Sequence, residues 1–355
     1  MMTLRRFGTT LPSIPTAAAW ALTDLAEARG KQELFTKQSP QKLKALREHA
    51  MIESAIASNR IEGITIDQDR VPAVLIGNAP LLRDRNELEV RGYRDALKMI
   101  HEKAKQLTIS EETILKLHAL CCPEAWDSGR YKEKDVDIIE TFADGRSRIR
   151  FQSISAAQTP GAMRELVALW QDQLLHRQVP PLVLIAAFNL DFLCIHPFRD
   201  GNGRASRLML LLQCYHLGLE VGRYISLERL IEENKERYYE TLEQSSQGWH
   251  QGRHDPWPYI NYVLFILKSA CKEFERRVGQ TKESKGAKAE FVIEAIRRQI
   301  GDFRLSDIER ECPGVSREWI RVLLADMKAR SEVTCRGRGP AARWRINPNK
   351  GTTPK

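Results

Sequence analysis

The chemistry of this chain is concentrated in one stretch, His196-Pro197-Phe198-Arg199-Asp200-Gly201-Asn202-Gly203-Arg204-Ala205-Ser206-Arg207. Gly201 and Gly203 permit a tight turn whose backbone N–H groups converge. The turn opens into a helix, and the first N–H groups of a helix have no acceptor of their own. The two features together make an anion cradle suited to phosphates, to which Asn202 can add its side-chain amide. Arg204 and Arg207 are three apart and share a helix face, and two guanidinium groups beside such a cradle suit a polyphosphate. Asp200 stands at the rim and could hold a divalent cation bridging phosphates. His196 can point into the same cleft, where a neutral imidazole could take a proton from an attacking hydroxyl. Taken singly, each residue has an ordinary structural role: a histidine near a helix end, a Gly-x-Gly turn, an arginine pair on a solvated face. The weight lies in their order. No Gly-Lys-Ser/Thr follows the glycines, which excludes a Walker loop, and a helix rather than a strand precedes them, which excludes a dinucleotide-binding fingerprint.

Elements that could hold such a site rigid follow from periodicity. The segment Pro181–Ile195 is apolar almost all round and is expected to be a central helix, with the next running from Arg204 to about His216. Upstream, Leu43, Leu46, Ala50, Ser54 and Ala57 mark a helix over 40–59 that Gly63 should end. Further helices are expected from Arg85 to Ala104, from Ser110 as a cap, over 160–175, over 226–244 as one element, and from Tyr259 to Val278. Residues 1–40 are expected to form an irregular or partly strand-like arm. Residues 123–160 differ: Ser147-Arg148-Ile149-Arg150-Phe151 alternates polar and apolar after the turn pair Asp144-Gly145, as in a small hairpin inserted in a helical domain. The polar, glycine-bearing segment 279–286 reads as a linker. Beyond it three helices, 290–300, 305–311 and 316–329, precede two short strands at 333–336 and 343–346, with Gly337-Arg338-Gly339-Pro340 between them.

Composition excludes several classes. The chain has 355 residues, 42% hydrophobic and 28% charged, with a net charge of +9. That is the make-up of a folded protein of two or three domains rather than a disordered one. No apolar run reaches the roughly 20 residues of a membrane span, and Pro15 and Asp24 interrupt the alanine-rich start, so neither a signal peptide nor a membrane partner is expected. Seven cysteines without CxxC spacing fit a reducing, cytoplasmic compartment. Residues 281–355 carry 17 Lys/Arg against 10 Asp/Glu, whereas the first 280 carry 38 against 36. A basic terminal module suggests nucleic acid, with solubility as the plainer alternative.

The stretch from His196 to Arg207 resembles the signature of the Fic (filamentation induced by cAMP) family, His-x-Phe-x-Asp/Glu-Gly-Asn-Gly-Arg-x-x-Arg, without a substitution. The resemblance spans about residues 40–275. It implies a mainly α fold with an inserted β-hairpin flap, and transfer of AMP from ATP to a Ser, Thr or Tyr hydroxyl of a protein, the chain itself among the acceptors. By the same resemblance His196 would be the general base, Asp200 would hold Mg²⁺, Gly201, Asn202 and Gly203 would cradle the phosphates, and Arg204 and Arg207 would contact the phosphate chain, Arg207 at the γ-phosphate. Ser58-Asn59-Arg60-Ile61-Glu62-Gly63 resembles the family's inhibitory pattern, in which Glu62 would pair with Arg207. A carboxylate in an arginine-rich cleft satisfies the cations and excludes a like-charged phosphate. Arg148, Ile149, Arg150 and Phe151 correspond in position to the flap that aligns a target by strand addition, and Tyr238 and Tyr239 could flank the base or pack in the core.

Residues 288–348 resemble a winged helix-turn-helix domain, with Arg317, Arg321 and Lys328 on or near the third helix and Arg336, Arg338 and Arg343 on the wing, an arrangement that reads DNA or serves protein contacts. The expected division is therefore 1–110 for the arm and the region with the inhibitory helix (about 40–63), 111–278 for the catalytic core, 279–287 for the linker and 288–348 for the winged helix. Two other readings stay open: removal of AMP, or transfer of another phosphate-linked group, on the same fold; and a nucleotide-sensing, DNA-binding regulator. A homodimer contact could bias release of Glu62, and no residue in the sequence locates one.

Overall fold

The helix Pro181–Ile195 is buried without a break from Val183 to Ile195, and the rest of the larger core is arranged around it. The computed structural model describes residues 1–36, 40–76, 82–141, 145–279, 287–299, 301–312, 315–337, 339 and 342–347. In chain order the helices are α1 (Thr3–Thr9), α2 (Thr16–Thr36), α3 (Pro40–Ile61), α4 (Val71–Leu75), α5 (Arg85–Lys103) and α6 (Glu111–Cys121). A two-stranded antiparallel hairpin follows, β1 (Asp137–Thr141) and β2 (Ser147–Gln152), with a bulge between Ile138 and Ile139. Then come α7 (Thr159–His176), α8 (Pro181–Ile195), α9 (Asn202–His216), α10 (Leu227–Glu233), α11 (Lys235–Ser246) and α12 (Trp257–Gly279). The fold is mainly α with small β-hairpins. None of the described helices is long and apolar enough to cross a membrane.

Local chemistry sets the element ends. Asp84 caps α5 by accepting the Glu87 N–H at 2.9 Å, and Ser110 caps α6 by accepting the Thr113 N–H at 3.3 Å. Gly63, at φ +81°, turns the chain away after α3. α8 stops where His196 takes a left-handed φ of +52° and Pro197 follows, since proline cannot continue the helical bonding.

Two sequence expectations are corrected. Most of residues 1–36 is not an irregular arm but the helices α1 and α2, with an irregular segment over 10–15 between them. Their alanines and threonines give little contrast between faces, so periodicity missed them, and their order comes from tertiary partners. Buried Asp191 of α8 accepts the Thr3 N–H at 2.7 Å and the Leu4 N–H at 2.9 Å, capping α1, while α2 packs along α12. The single helix expected over 226–244 is two, broken at Asn234, whose side chain donates to the Leu230 carbonyl at 2.9 Å.

The C-terminal residues pack a second hydrophobic cluster, with Val292, Ile296, Phe303, Ile308, Ile320, Leu324 and Val333 buried in it. Its elements are α13 (Ala287–Arg297), α14 (Leu305–Glu311), α15 (Arg317–Ala329) and the hairpin β3 (Val333–Arg336) and β4 (Arg343–Ile346). Phe303 adds a short bridge to Trp344, each accepting the other's N–H at 2.8 Å. The arginines of α15 have acidic neighbours: Arg317 lies 3.6 Å from Glu309, Arg321 3.6 Å from Glu318, and Arg330, just after the helix, 2.5 Å from Asp326. Arg336 and Arg343 face each other across the hairpin. Arg338, Asp144 and most of the expected linker, 280–286, lie outside the described residues.

Candidate active site

The site lies where the end of α8, the start of α9 and the end of α3 meet. Gly201, at φ +78°, makes the turn that starts α9, and no larger residue fits there: an added Cβ would lie 2.5 Å from Cys122 Sγ. The loop is braced from inside. Asn202 Oδ1 accepts the Phe198 N–H at 2.9 Å and its Nδ2 donates to the Phe198 carbonyl at 2.8 Å, so both ends of this amide hold the loop. His118 stacks on Phe198 with ring centroids 3.7 Å apart. Its Nδ1 accepts the Gly129 N–H at 3.1 Å, which puts its proton on Nε2, where it donates to the Asp200 carbonyl at 3.0 Å.

His196 sits in the left-handed turn with Nδ1 buried, which leaves Nε2 as the nitrogen a hydroxyl can reach. Burial lowers its imidazole to about 4, Lys132 pushes the same way, and the Leu193 carbonyl, Glu62 and Asp200 pull against them. The ring is therefore neutral at physiological pH, the form that accepts a proton.

Asp200 is half exposed at the rim. Arg85 donates to its Oδ2 at 3.0 Å, and Arg204 reaches its Oδ1 at 3.4 Å. Glu89 joins the same two arginines: Arg85 Nε donates to it at 2.5 Å, and Arg204 Nη1 donates to its other oxygen. The result is a ring of alternating charge. Arg204 is fully buried, and Nη1 also donates to Asn59 Oδ1 at 3.4 Å and to the Cys121 carbonyl at 3.3 Å. Its guanidinium thus braces Asp200 and the loop, whereas the spacing placed it on one face with Arg207 beside the cradle. Among the described residues no group of three His, Cys, Asp or Glu gathers as a metal cage. Mg²⁺ is commonly held by one or two carboxylates together with substrate phosphates, and one exposed carboxylate beside an anion cradle fits an ion that arrives with a nucleotide.

Arg207 is almost wholly buried and is tied to α3. Nε donates to Ser58 Oγ at 2.9 Å, and Nη2 donates to the Ser58 carbonyl at 2.9 Å and to Glu62 Oε1 at 2.8 Å. Nη1 is buried without a partner and would lie 3.1 Å from a Cβ on Gly203. Glu62 Oε1 would lie only 2.2 Å from the same Cβ. The Glu62 carboxylate therefore lies against Gly203 in the first turn of α9, where an anion would be drawn.

The hairpin leans on α11 and on the residues after it. Arg148 pairs with Glu243 at 2.8 Å, Arg150 donates to the Tyr239 carbonyl and lies over the Tyr239 ring, and Phe151 stacks on His250 at 5.4 Å. Ile149 is exposed, as is Ile139 opposite it. Of the two tyrosines, Tyr238 is buried beside Tyr259 and Tyr262, whereas Tyr239 is half-buried and donates to the Ile61 carbonyl at 3.4 Å. The sequence reading missed Arg85, Glu89 and Lys132. Arg85 and Glu89 carry a faint i,i+4 signal on a helix, but their partners are more than 100 residues away.

Residues 108–214 match the model of the Fic/DOC family. That segment is similar to a Fic/DOC family domain. The matched segment brackets the site, from just before α6 to near the end of α9. A curated relative, "Protein adenylyltransferase Fic" of Nematostella vectensis, is 24% identical over 268 residues; the match covers 71% of this chain, which spans 55% of that protein's length. Among solved structures, a Fic family protein from Desulfovibrio desulfuricans is 24% identical with a TM-score of 0.61, covering 96% of this chain and 99% of that one. A Fic domain containing signaling protein from Bacteroides thetaiotaomicron is 21% identical with a TM-score of 0.59, covering 74% and 100%. These structures share the fold.

Proposed function

We propose that the chain transfers AMP from ATP to a protein Ser, Thr or Tyr hydroxyl and that Glu62 holds it inactive. The observation that carries the reading is the Glu62 carboxylate against Gly203, bonded to Arg207 at 2.8 Å. A carboxylate in that position mimics a phosphate, so the cleft it fills is an anion site, and its departure frees both the helix N-terminus and the Arg207 guanidinium. The activity in the name of the Nematostella vectensis relative supports the choice of AMP.

In this reading a target hydroxyl lies against His196 Nε2, aligned by strand addition to the β1–β2 hairpin. Its oxygen bonds to the α-phosphorus as the bond from that phosphorus to the pyrophosphate oxygen breaks, and its proton passes to His196. The first N–H groups of α9 and Arg207 hold the phosphate oxygens. Asp200 would hold Mg²⁺, which would offset phosphate charge. Intact His196 and Asp200 favour catalysis over mere nucleotide sensing, since binding alone needs no base.

The test is label transfer from α-³²P-ATP with Mg²⁺ in wild type, Glu62→Gly and Glu62→Gly/His196→Ala. Strong labelling only in Glu62→Gly is expected, at least about 10-fold over wild type for the release of one buried charge pair. A hydrolase using Glu62 to place water would instead lose AMP-removing activity in that variant, and absence of labelling with every nucleoside triphosphate and a cell lysate would refute transfer.

A further inference from the structure

Lys132 lies on the loop before β1 and is buried, yet no part of the sequence argument involves it. Its contacts converge on His196. The Lys132 backbone N–H donates to the Pro197 carbonyl at 2.9 Å, and Nζ donates to the Ile195 carbonyl at 3.3 Å. One residue thus grips the chain immediately before and immediately after His196. The gripped residue is in the left-handed region at φ +52°, which costs a non-glycine residue energy and persists only where its surroundings fix it. Lys132 Nζ also donates to Ser153 Oγ at 2.7 Å, and that hydroxyl donates to the Val136 carbonyl at 2.5 Å. Val136 and Ser153 are the residues just outside the two strands, at the base of the hairpin.

We propose that Lys132 is the positioning residue for His196, holding the strained turn and the base of the hairpin as one unit and setting a positive charge beside the imidazole. The proposal rests on the reading of His196 as the general base. A buried ammonium is retained because two of its N–H groups have acceptors, Ser153 Oγ and the Ile195 carbonyl, and because it does two things an apolar residue cannot: it fixes the Ile195 carbonyl at the end of α8, and it disfavours a second positive charge on the ring. The charged groups facing His196 are Lys132 from the loop, Glu62 from the end of α3 and Asp200 from the turn into α9; those facing Lys132 are Asp135 and Asp137. Burial lowers the Lys132 amine itself to about 8, against those two carboxylates, so it carries its charge at neutral pH. The geometry also makes the hairpin and the base move together, so a peptide added to β1 or β2 would meet an imidazole at a fixed distance.

The experiment compares Lys132→Met and Lys132→Arg with wild type by NMR titration of histidine imidazoles in the full chain, His196 being assigned from the spectrum of His196→Ala. The wild-type ring, held low by burial, is neutral at neutral pH. In Lys132→Met its midpoint should rise by about half a unit or more, and in Lys132→Arg it should stay near the wild-type value. In the Glu62→Gly background Lys132→Met should also lower the plateau labelling rate by about 10- to 100-fold through misplacement, with the acid limb moved to higher pH and Lys132→Arg restoring most of both. Unfolding curves show which variants are folded; if Lys132→Met does not fold, Lys132→Gln replaces it. A folded variant without the charge whose His196 titrates as in wild type overturns the proposal. Absence of labelling in Glu62→Gly alone would refute AMP transfer, while the titration still decides the role of Lys132.

Discussion

Gly203 shows how a single missing methyl group can define a ligand. A Cβ there would lie 2.2 Å from Glu62 Oε1 and 3.1 Å from Arg207 Nη1, so the backbone leaves room for an oxygen and nothing larger beside it. Gly203→Ala should push Glu62 aside yet fill the cradle itself. The expected outcome is about 100-fold less labelling when Gly203→Ala is added to Glu62→Gly, read with α-³²P-ATP; labelling equal to that of Glu62→Gly would mean that the phosphates do not rest on this turn. The histidines make a second prediction. Burial lowers His196 and His254 to about 4 and His101 to about 3. Their folded values lie below the ordinary 6.5, so the unfolded chain takes up protons first. Stability from these groups is complete above about pH 6.5 and drains away as pH falls towards 4. Asp191, raised by burial to about 6, works the other way below pH 6. Three histidines outweigh one aspartate, so Tm should fall between pH 6.5 and 4.5, and a Tm that rises over that range would contradict these buried settings.

At the scale of elements, the question is what holds α3 against α9. Arg207 makes two bonds to Ser58 of that helix and one to Glu62 just after it. Ser54 adds a link to α10, donating to Glu228 Oε2 at 2.6 Å. Only one of the Arg207 bonds uses the Ser58 hydroxyl, so Ser58→Ala should loosen the contact without opening it. Loss of a buried bond to a charged group costs about 1.5–3 kcal/mol. Partial labelling is expected, above wild type and below Glu62→Gly, and labelling equal to wild type would mean that Glu62 alone sets the closed state. The hairpin is the other element beside the site. Its contacts to α11 and the following turn run through Arg148, Arg150 and Phe151, while Ile139 and Ile149 are exposed.

At the scale of the whole molecule the chain packs two separate hydrophobic clusters, one around α8 and one among α13, α14 and α15. Clusters with their own cores unfold as separate cooperative units. Calorimetry should resolve two transitions, and a chain ending at Gly279 should keep the larger one together with Glu62→Gly labelling. A single transition lost on that truncation would show that the cores are interdependent. The expectation that residues 288–348 read DNA is tested in the same scan: duplex DNA bound there should raise the smaller transition, and by less as salt increases. The acidic neighbours of Arg317 and Arg321 would have to be displaced for those arginines to reach phosphate.

The sequence by itself determined what is local. The order of types from His196 to Arg207, the apolar helix before them, the alternation at 147–151, the cap at Ser110 and the glycine after α3 depend on neighbours a few residues apart, and the structure has each of these elements in place. What only the tertiary structure decided joins residues far apart in the chain. Asp191 orders α1 from almost 190 residues away, Arg85 and Glu89 enclose Asp200 and Arg204, and Lys132 grips both sides of His196. Arg204 and Arg207 look alike as a pair three apart, yet one is sealed in a ring of charge and the other faces Glu62. Both are buried; their partners separate them, and partners are set by which helices meet rather than by the spacing of residues along one.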